Sequence, residues 1–391
     1  MAAKTGRIEL ILILGSLAAF GPLATDMYLP ALPEVARALG GTSSQVQITV
    51  ATFFFGFAAG QLIYGPLSDR FGRKPPLYWG LGLFTLTSGL CALAPSVDTM
   101  IALRFIEAFG ACAGTVISRA IVRDLFKPEE GARVFSTLML VMVIAPIVAP
   151  LIGGYLLLWF DWQSIFWAIT LAGALSLASV VFRLPESRKS DPEHSLALGN
   201  IVKVYASLLM QRRYLMVALS GAFGYGGLFA YITGSPFVFI EGYKLAPQHY
   251  GWLFAINSAG IMAASQINRA LIHRLGAATM LRAAGAFQML VGVAMFIVAV
   301  TQWGGMIAFV VPLFLYVACN GIVMPNSTAL GLADQQKNAG AAAALMGSIQ
   351  FSVGTISALS IGALHAVTPL PVAAVIALAG TLTTLALLAA R

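Results

Sequence analysis

Residues 65–74, GPLSDRFGRK, decide the fold of this chain. This polar loop joins apolar stretches near 46–66 and 76–94, and a bilayer-spanning helix needs about 20 such residues. The centre of the loop, LSDRFG at 67–72, aligns with LIHRLG at 271–276, an offset close to half the chain. The alignment predicts two similar halves, as in rocking transporters, with chance similarity in a short stretch as the alternative.

Composition excludes the common classes of soluble protein. Of 391 residues, 59% are hydrophobic and 10% are charged, whereas an ordinary soluble domain is about one-quarter charged. Neither a soluble enzyme nor a disordered regulator fits these values. The three cysteines lie in apolar runs with no CxxC pair, so neither a disulfide framework nor a zinc site is indicated.

The apolar stretches number twelve and fall into two sets of six. The first is long enough to span and no A-x-A site follows it, so we expect a retained helix rather than a cleaved signal peptide. We predict an all-α integral membrane protein with 12 transmembrane helices in two pseudo-symmetric six-helix bundles, 1–183 and 213–391, joined by a linker at 184–212. Besides the two stretches above, the predicted spans lie near 8–30, 99–120, 134–158, 164–183, 214–237, 250–272, 279–299, 304–329, 339–364 and 369–390.

Basic residues set the orientation. If the N-terminus is cytoplasmic, all 23 Lys and Arg fall on the cytoplasmic side except Arg37, Lys244 and Arg104. The positive-inside rule therefore predicts that both termini are cytoplasmic. The same distribution accounts for the net charge of +8 without a nucleic-acid partner, since anionic lipid lies on that side.

Several segments resemble one transporter family. Residues 65–74 resemble the loop between the second and third helices of the major facilitator superfamily. APLIGG at 149–154 resembles the antiporter motif of its drug:proton exporters, with Ala149 where many relatives have Gly. Five further segments resemble the bicyclomycin/chloramphenicol-resistance (Bcr/CflA) branch of this superfamily: ATDMYLP at 24–30, RFIEAFG at 104–110, SPFVF at 235–239, PNSTA at 325–329 and GSIQF at 347–351.

Three ionisable residues within spans are the candidates for proton coupling, because an intramembrane charge is expensive and marks function by default. Asp26 lies in the outer part of the first span, and Arg104 and Glu107 enter from outside on the fourth, so the three can share a depth. Asp26 is predicted to carry the proton, with Arg104 holding a nearby carboxylate ionised. The alternatives are an Asp26 bonded to backbone at a helix end and a static ion pair for Arg104.

Glu107 departs from the family pattern, because relatives usually carry Gln at the matching point. It is a second titrating site, a feature for cationic drugs, or a silent protonated carboxyl. The second half offers no buried acid, which assigns proton coupling to the first half. Predicted substrate contacts, each with helix packing as the alternative, are Phe54, Tyr225, Tyr231, Asn257, Asn320 and Gln350.

Two further groups are predicted to control opening and closing. Asp69 is expected to accept from the N-terminal amides of a neighbouring helix, and Arg73 to pair with Asp124. The family resemblance makes that helix the eleventh. Pro150, Gly153 and Gly154 are expected to kink the fifth helix and allow close approach, which in antiporters seals a proton leak; ordinary kinked packing is the alternative.

The resemblance implies a proton-coupled exporter of amphipathic neutral or cationic drugs, working by alternating access as a monomer in the bacterial inner membrane. Its expected partners are a small-molecule drug, protons and lipid, and its energy source is the proton gradient with no cofactor or metal. A metabolite exporter or symporter of the same fold is the alternative. A membrane enzyme or scaffold is disfavoured, because HExxH, GxSxG and a phosphate loop do not occur.

Overall fold

The computed structural model describes residues 6–188, 198–335, 338–364 and 368–390, and these ranges contain helices but no strand. Two helices are short, α2 (Leu32–Ala38) and α8 (Leu198–Leu209). The other twelve correspond to the predicted spans: α1 (Arg7–Asp26), α3 (Ser43–Phe71), α4 (Lys74–Ala92), α5 (Val97–Leu125), α6 (Pro128–Leu156), α7 (Gln163–Phe182), α9 (Arg212–Pro236), α10 (Pro247–Leu275), α11 (Ala277–Thr301), α12 (Gly305–Leu332), α13 (Ala339–Ala363) and α14 (Pro369–Ala389).

Nine helices of the described ranges are long and apolar enough to cross a membrane by themselves. Large apolar side chains cover the outer surface of the bundle; Trp79 is 80% exposed and Phe182 77%. Exposed apolar area on this scale is stable only against another apolar medium. In hydrocarbon the backbone polar groups must be satisfied within the protein, and a helix pairs most of them internally.

Short connections reverse the chain between successive long helices. We call the side where α1 begins the inner side and the opposite side the outer side. The inner turns from α3 to α4 and from α10 to α11 use Gly72 (φ 86°) and Gly276 (φ 76°), which are the aligned glycines of the repeated loop. Glycine suits both positions because other residues rarely adopt positive φ. The repeated sequence thus forms a repeated turn.

Helix packing follows the two halves. In the first, α5 contacts α1, α3 and α4, and in the second, α9 contacts α12, α13 and α14. The halves meet mainly along α3 with α13 and along α6 with α10. The domain bounds 1–183, 184–212 and 213–391 stay a prediction, and part of the predicted linker, 189–197, lies outside the described residues.

Candidate functional site

Arg104 and Glu107 form an ion pair inside the first half. Arg104 Nη1 donates to Glu107 Oε2 at 2.6 Å, and both side chains are fully buried. Their spacing of three residues on α5 puts them on one helix face. Glu107 Oε1 accepts a second hydrogen bond, from Ser88 Oγ on α4 at 2.7 Å. The carboxylate therefore has a cation and a hydroxyl donor in a site without water access.

Aromatic rings enclose the Arg104 guanidinium. Its Cζ atom lies 4.2 Å from the centroid of the Phe53 ring, 4.9 Å from that of Tyr28 and 5.8 Å from that of Phe166. Such faces attract a cation, most strongly where water is excluded. Arg104 Nε and Nη2 have no hydrogen-bond partner among the described residues, so these rings supply the remaining stabilisation.

Asp26 lies apart from this pair. It ends α1 with 5% of its surface exposed. Within the described ranges it makes no ion pair with Arg104, so the structure does not show Arg104 holding the Asp26 carboxylate. Arg104 instead reaches the first span through Tyr28, two residues further along. The carboxylate that Arg104 does hold is Glu107.

The titratable neighbours of Asp26 instead belong to the second half. The Asp26 carboxyl lies within electrostatic range of the hydroxyl groups of Tyr225, Tyr231 and Tyr250. Tyr231 accepts a hydrogen bond from Asn257 Nδ2 at 2.9 Å, so these two predicted contacts form one polar group. Tyr250, which the sequence did not single out, shares a hydrogen bond of 2.8 Å with Ser235. Asp26, at the end of α1 in the first half, is thus a buried acid close to polar groups of the second half.

Five aromatic residues from both halves meet between α3, α9 and α13. We call them the cross-half aromatic cluster: Phe54, Phe57, Tyr225, Phe229 and Phe351. The ring centroids of Phe54 and Phe229 are 4.0 Å apart, those of Phe57 and Phe351 4.6 Å, and those of Tyr225 and Phe229 4.6 Å. Phe54, Phe57 and Phe229 are each less than 5% exposed, so in this structure the rings pack on one another and form an apolar contact between the halves.

The two remaining predicted substrate contacts, Gln350 and Asn320, lie in different surroundings. Gln350 on α13 is 7% exposed and lies near Gly221 of α9, where an added Cβ would be 3.7 Å from its Nε2 atom. Asn320 packs inside the second half instead, where its amide donates to the carbonyl groups of Tyr316 and Val317. Phe57, Phe229 and Phe351 were missed, although the i,i+4 spacing of Tyr225 and Phe229 could have indicated a shared face.

The antiporter-like segment forms a close contact at the outer side. At Gly153 an added Cβ would lie 2.1 Å from the carbonyl oxygen of Met27, and at Gly154 2.8 Å from that of Pro247 on α10. An added Cβ at Gly251 would in turn lie 2.8 Å from the carbonyl oxygen of Pro150. Glycine is therefore required where α6 meets α1 and α10, and this contact joins the two halves.

At the inner side, Arg73 connects three acceptors. Its side chain, 1% exposed, bonds Asp124 at 2.7 Å, Asp69 at 2.8 Å and Ser68 at 2.8 Å. The predicted pairing with Asp124 is therefore present. Burial works against the charged guanidinium, yet the two carboxylates outweigh it and raise the pKa of Arg73 above its ordinary value.

The predicted contact of Asp69 with the amides of a neighbouring helix is not seen among the described residues, and its formation when the inner side closes stays a prediction. Asp69 accepts from Arg73 and from Arg188, the latter at 2.9 Å, and no helix amide of the described ranges donates to it. The carboxylate that caps a helix is Glu186, which accepts from the backbone amides of Arg73 at 2.8 Å and Lys74 at 3.0 Å, where α4 begins. A helix N-terminus favours such a negative charge. Glu186 comes from the segment after α7, which sequence spacing does not link to this loop.

Glu186→Ala should loosen the start of α4. Loss of a helix-capping acceptor costs about 1 kcal/mol, so we expect the Arg73 and Lys74 amides to exchange with solvent about fivefold faster. Hydrogen exchange followed by mass spectrometry measures this in detergent. Arg188→Ala is the control, because it removes the ion pair with Asp69 but retains both amide bonds. Equal exchange in wild type and Glu186→Ala would contradict the capping role.

Comparison with known proteins fits this geometry. Residues 14–388 match the model of the Major Facilitator Superfamily. The chain belongs to this superfamily. A protein named "Bicyclomycin resistance protein homolog" from Haemophilus influenzae is 37% identical over 346 residues, covering 88% of this chain and 87% of that one. The "Uncharacterized MFS-type transporter YdgK" of Bacillus subtilis is 36% identical, covering 94% and 92%. The resemblance to the Bcr/CflA branch is confirmed.

Solved structures share the superfamily fold. The D-xylose-proton symporter superposes with a TM-score of 0.75 at 14% identity, covering 96% of this chain and 97% of that one. The nucleoside transporter NupG gives 0.76 at 13%, covering 97% and 99%. The predicted all-α, two-bundle membrane architecture is confirmed, and this superfamily member is a transporter rather than an enzyme. Within the described ranges, no group of His, Cys, Asp and Glu could hold a metal ion.

Proposed function

We propose that this chain is a proton-coupled multidrug efflux transporter, a drug:proton antiporter for amphipathic compounds of the chloramphenicol and bicyclomycin type. The observation that carries the proposal is Asp26, a buried acid that has no ion-pair partner among the described residues and lies within electrostatic range of Tyr225 of the cross-half aromatic cluster. The names of the relatives support the choice of drugs: one is a bicyclomycin resistance homolog and another, 30% identical over 62% of this chain, is the multidrug resistance protein MdtL of Escherichia coli.

Asp26 serves as the proton carrier in this cycle. An ionised carboxylate without a cation is costly in a low-dielectric site, whereas access to water or a cationic drug stabilises it. When the site opens inward, Asp26 releases its proton as drug binds; when it opens outward, it takes up a proton as drug leaves. Glu107, already paired with Arg104, is the second candidate.

Contacts between helices at the outer side break when the transporter opens outward. In the structure the outer side is closed by α6 against α10 at Gly154 and Gly251, and Ser44 Oγ donates to the Gly362 carbonyl at 2.6 Å between α3 and α13. Outward opening separates these contacts. The Arg73 group with Asp69 and Asp124 stabilises the inner loop of the first half.

The cellular setting follows the sequence predictions. The inner side is the cytoplasmic side of a bacterial inner membrane, with both termini there. The protein works as a monomer, with a small-molecule drug, protons and lipid as its partners. The proton gradient supplies the energy, and the cycle uses no cofactor.

Reconstituted protein tests the function directly. Chloramphenicol, bicyclomycin-like compounds and cationic dyes are added in turn to proteoliposomes, and the internal pH is followed with a trapped indicator dye. We expect a substrate-evoked proton flux in protein-containing vesicles, absent from empty vesicles. If none of these compounds evokes proton movement, drug antiport is contradicted and the search turns to cellular metabolites.

A further inference from the structure

Arg119 is a cation inside the bundle that the cycle above does not use. It lies on α5, six residues or about 9 Å before the inner end of the helix. Its side chain is solvent-exposed, while its helix neighbours Ser118, Ile121 and Val122 are buried. A residue exposed on a helix at the centre of the first half lines an internal space rather than the outer surface.

The described neighbours of Arg119 include no carboxylate that pairs with it. Its Nη2 lies 3.9 Å from Met142 Sδ on α6, and sulfur is only a weak acceptor. Across the space, Tyr225 of the cross-half aromatic cluster lies within electrostatic range, as does Cys112 on the same helix. In the described ranges Arg119 makes no ion pair. The ion pairs of the described residues involve other arginines, such as Arg73 with Asp124.

This arrangement is stable only while water reaches the guanidinium. Arginine does not lose its charge, and desolvating an unpaired charge is expensive. Closure of the inner side during a transport cycle removes that water. The cost is offset if a bound anion enters with the guanidinium, because a carboxylate can accept two parallel hydrogen bonds from it.

From this geometry we propose that Arg119 forms an anion-binding subsite that selects aromatic substrates carrying a carboxylate. The inference rests on the proposed function and adds a substrate class to it. Tyr225 lies within electrostatic range of both Arg119 and Asp26, so the aromatic part of such a substrate lies on the cross-half cluster between a cation and an acid. Its carboxylate points to the inner side.

A matched pair of compounds tests the subsite. Chloramphenicol is neutral, and chloramphenicol succinate adds one carboxylate to the same aromatic body. Binding of each to purified full-length protein in detergent is measured by isothermal titration calorimetry. We expect wild type to prefer the succinate, and Arg119→Gln to reduce the ratio of the two affinities about tenfold or more.

Two variants make the result specific. Arg119→Lys retains the charge but not the fork of donors, so we expect an intermediate ratio. Arg123→Gln removes an exposed arginine one turn further along α5 and should retain the wild-type ratio. Size-exclusion profiles verify that each variant is folded.

The outcomes separate this proposal from the proposed function. No preference for the succinate in wild type, or the same ratio in Arg119→Gln as in wild type, would overturn the anion subsite. Drug-evoked proton flux in the proteoliposome assay would still support drug antiport in that case. A succinate preference that depends on Arg119 supports the subsite even where chloramphenicol evokes no proton flux.

Discussion

Proteoliposomes containing Asp26→Asn should show no drug-evoked proton movement, and active efflux should fall by at least about a hundredfold. Asparagine has nearly the shape of aspartate but cannot take up or release a proton in the physiological range. Efflux against a gradient requires that step, since one proton moving through 100 mV supplies about 2.3 kcal/mol, enough for a roughly 40-fold drug gradient. Drug-for-drug exchange should survive in part, because it needs no proton.

The matched control for Asp26 is Asp98→Asn, which changes an exposed carboxyl in the first turn of α5. We expect this variant to retain proton flux. Internal pH and counterflow of labelled drug are measured on the same vesicles. Full proton-driven efflux by Asp26→Asn would remove this residue from the mechanism and leave Glu107 as the carrier.

The fold could be read from the sequence because each feature that determines it is local. Twenty-residue apolar runs specify spans, and the loop at 65–74 with its copy at 271–276 indicates the duplication, which appears as positive φ at Gly72 and Gly276. The Arg104–Glu107 pair was also within reach, since a spacing of three on one helix makes contact.

Contacts between distant segments could not be read in the same way. Glu186 caps the start of α4 across more than a hundred residues, and only the return path of the chain brings it there. Depth arithmetic put Asp26 and Arg104 at the same depth, but depth does not determine which way a helix face is turned. In the structure Asp26 makes no ion pair with Arg104 among the described residues and lies within electrostatic range of tyrosines of the second half. Rotation of a helix about its axis depends on packing, which spacing alone does not specify.

The charge state of the buried pair can be determined from stability. Arg104→Met should lower the free energy of unfolding by about 3–5 kcal/mol, because it leaves an ionised Glu107 buried without a cation. The double variant Arg104→Met/Glu107→Gln removes both charges and should recover most of this loss. Glu107→Gln alone should cost less than Arg104→Met, since the glutamine oxygen can still accept from Arg104. Unfolding in mixed micelles is titrated with SDS.

Arg123→Met serves as the control, being the same substitution at an exposed position of the same helix. A loss below about 1 kcal/mol in Arg104→Met would contradict an ionised Glu107, because a protonated carboxyl leaves no charge behind. Proton-to-drug stoichiometry in Glu107→Gln then separates the remaining roles. If the number of protons exchanged per drug molecule falls by one, Glu107 is a second proton carrier. At 100 mV a second proton multiplies the attainable drug gradient by about 40 again. Unchanged stoichiometry would make the Arg104–Glu107 pair a structural element that holds α5 against α4 and the rings of Tyr28 and Phe53.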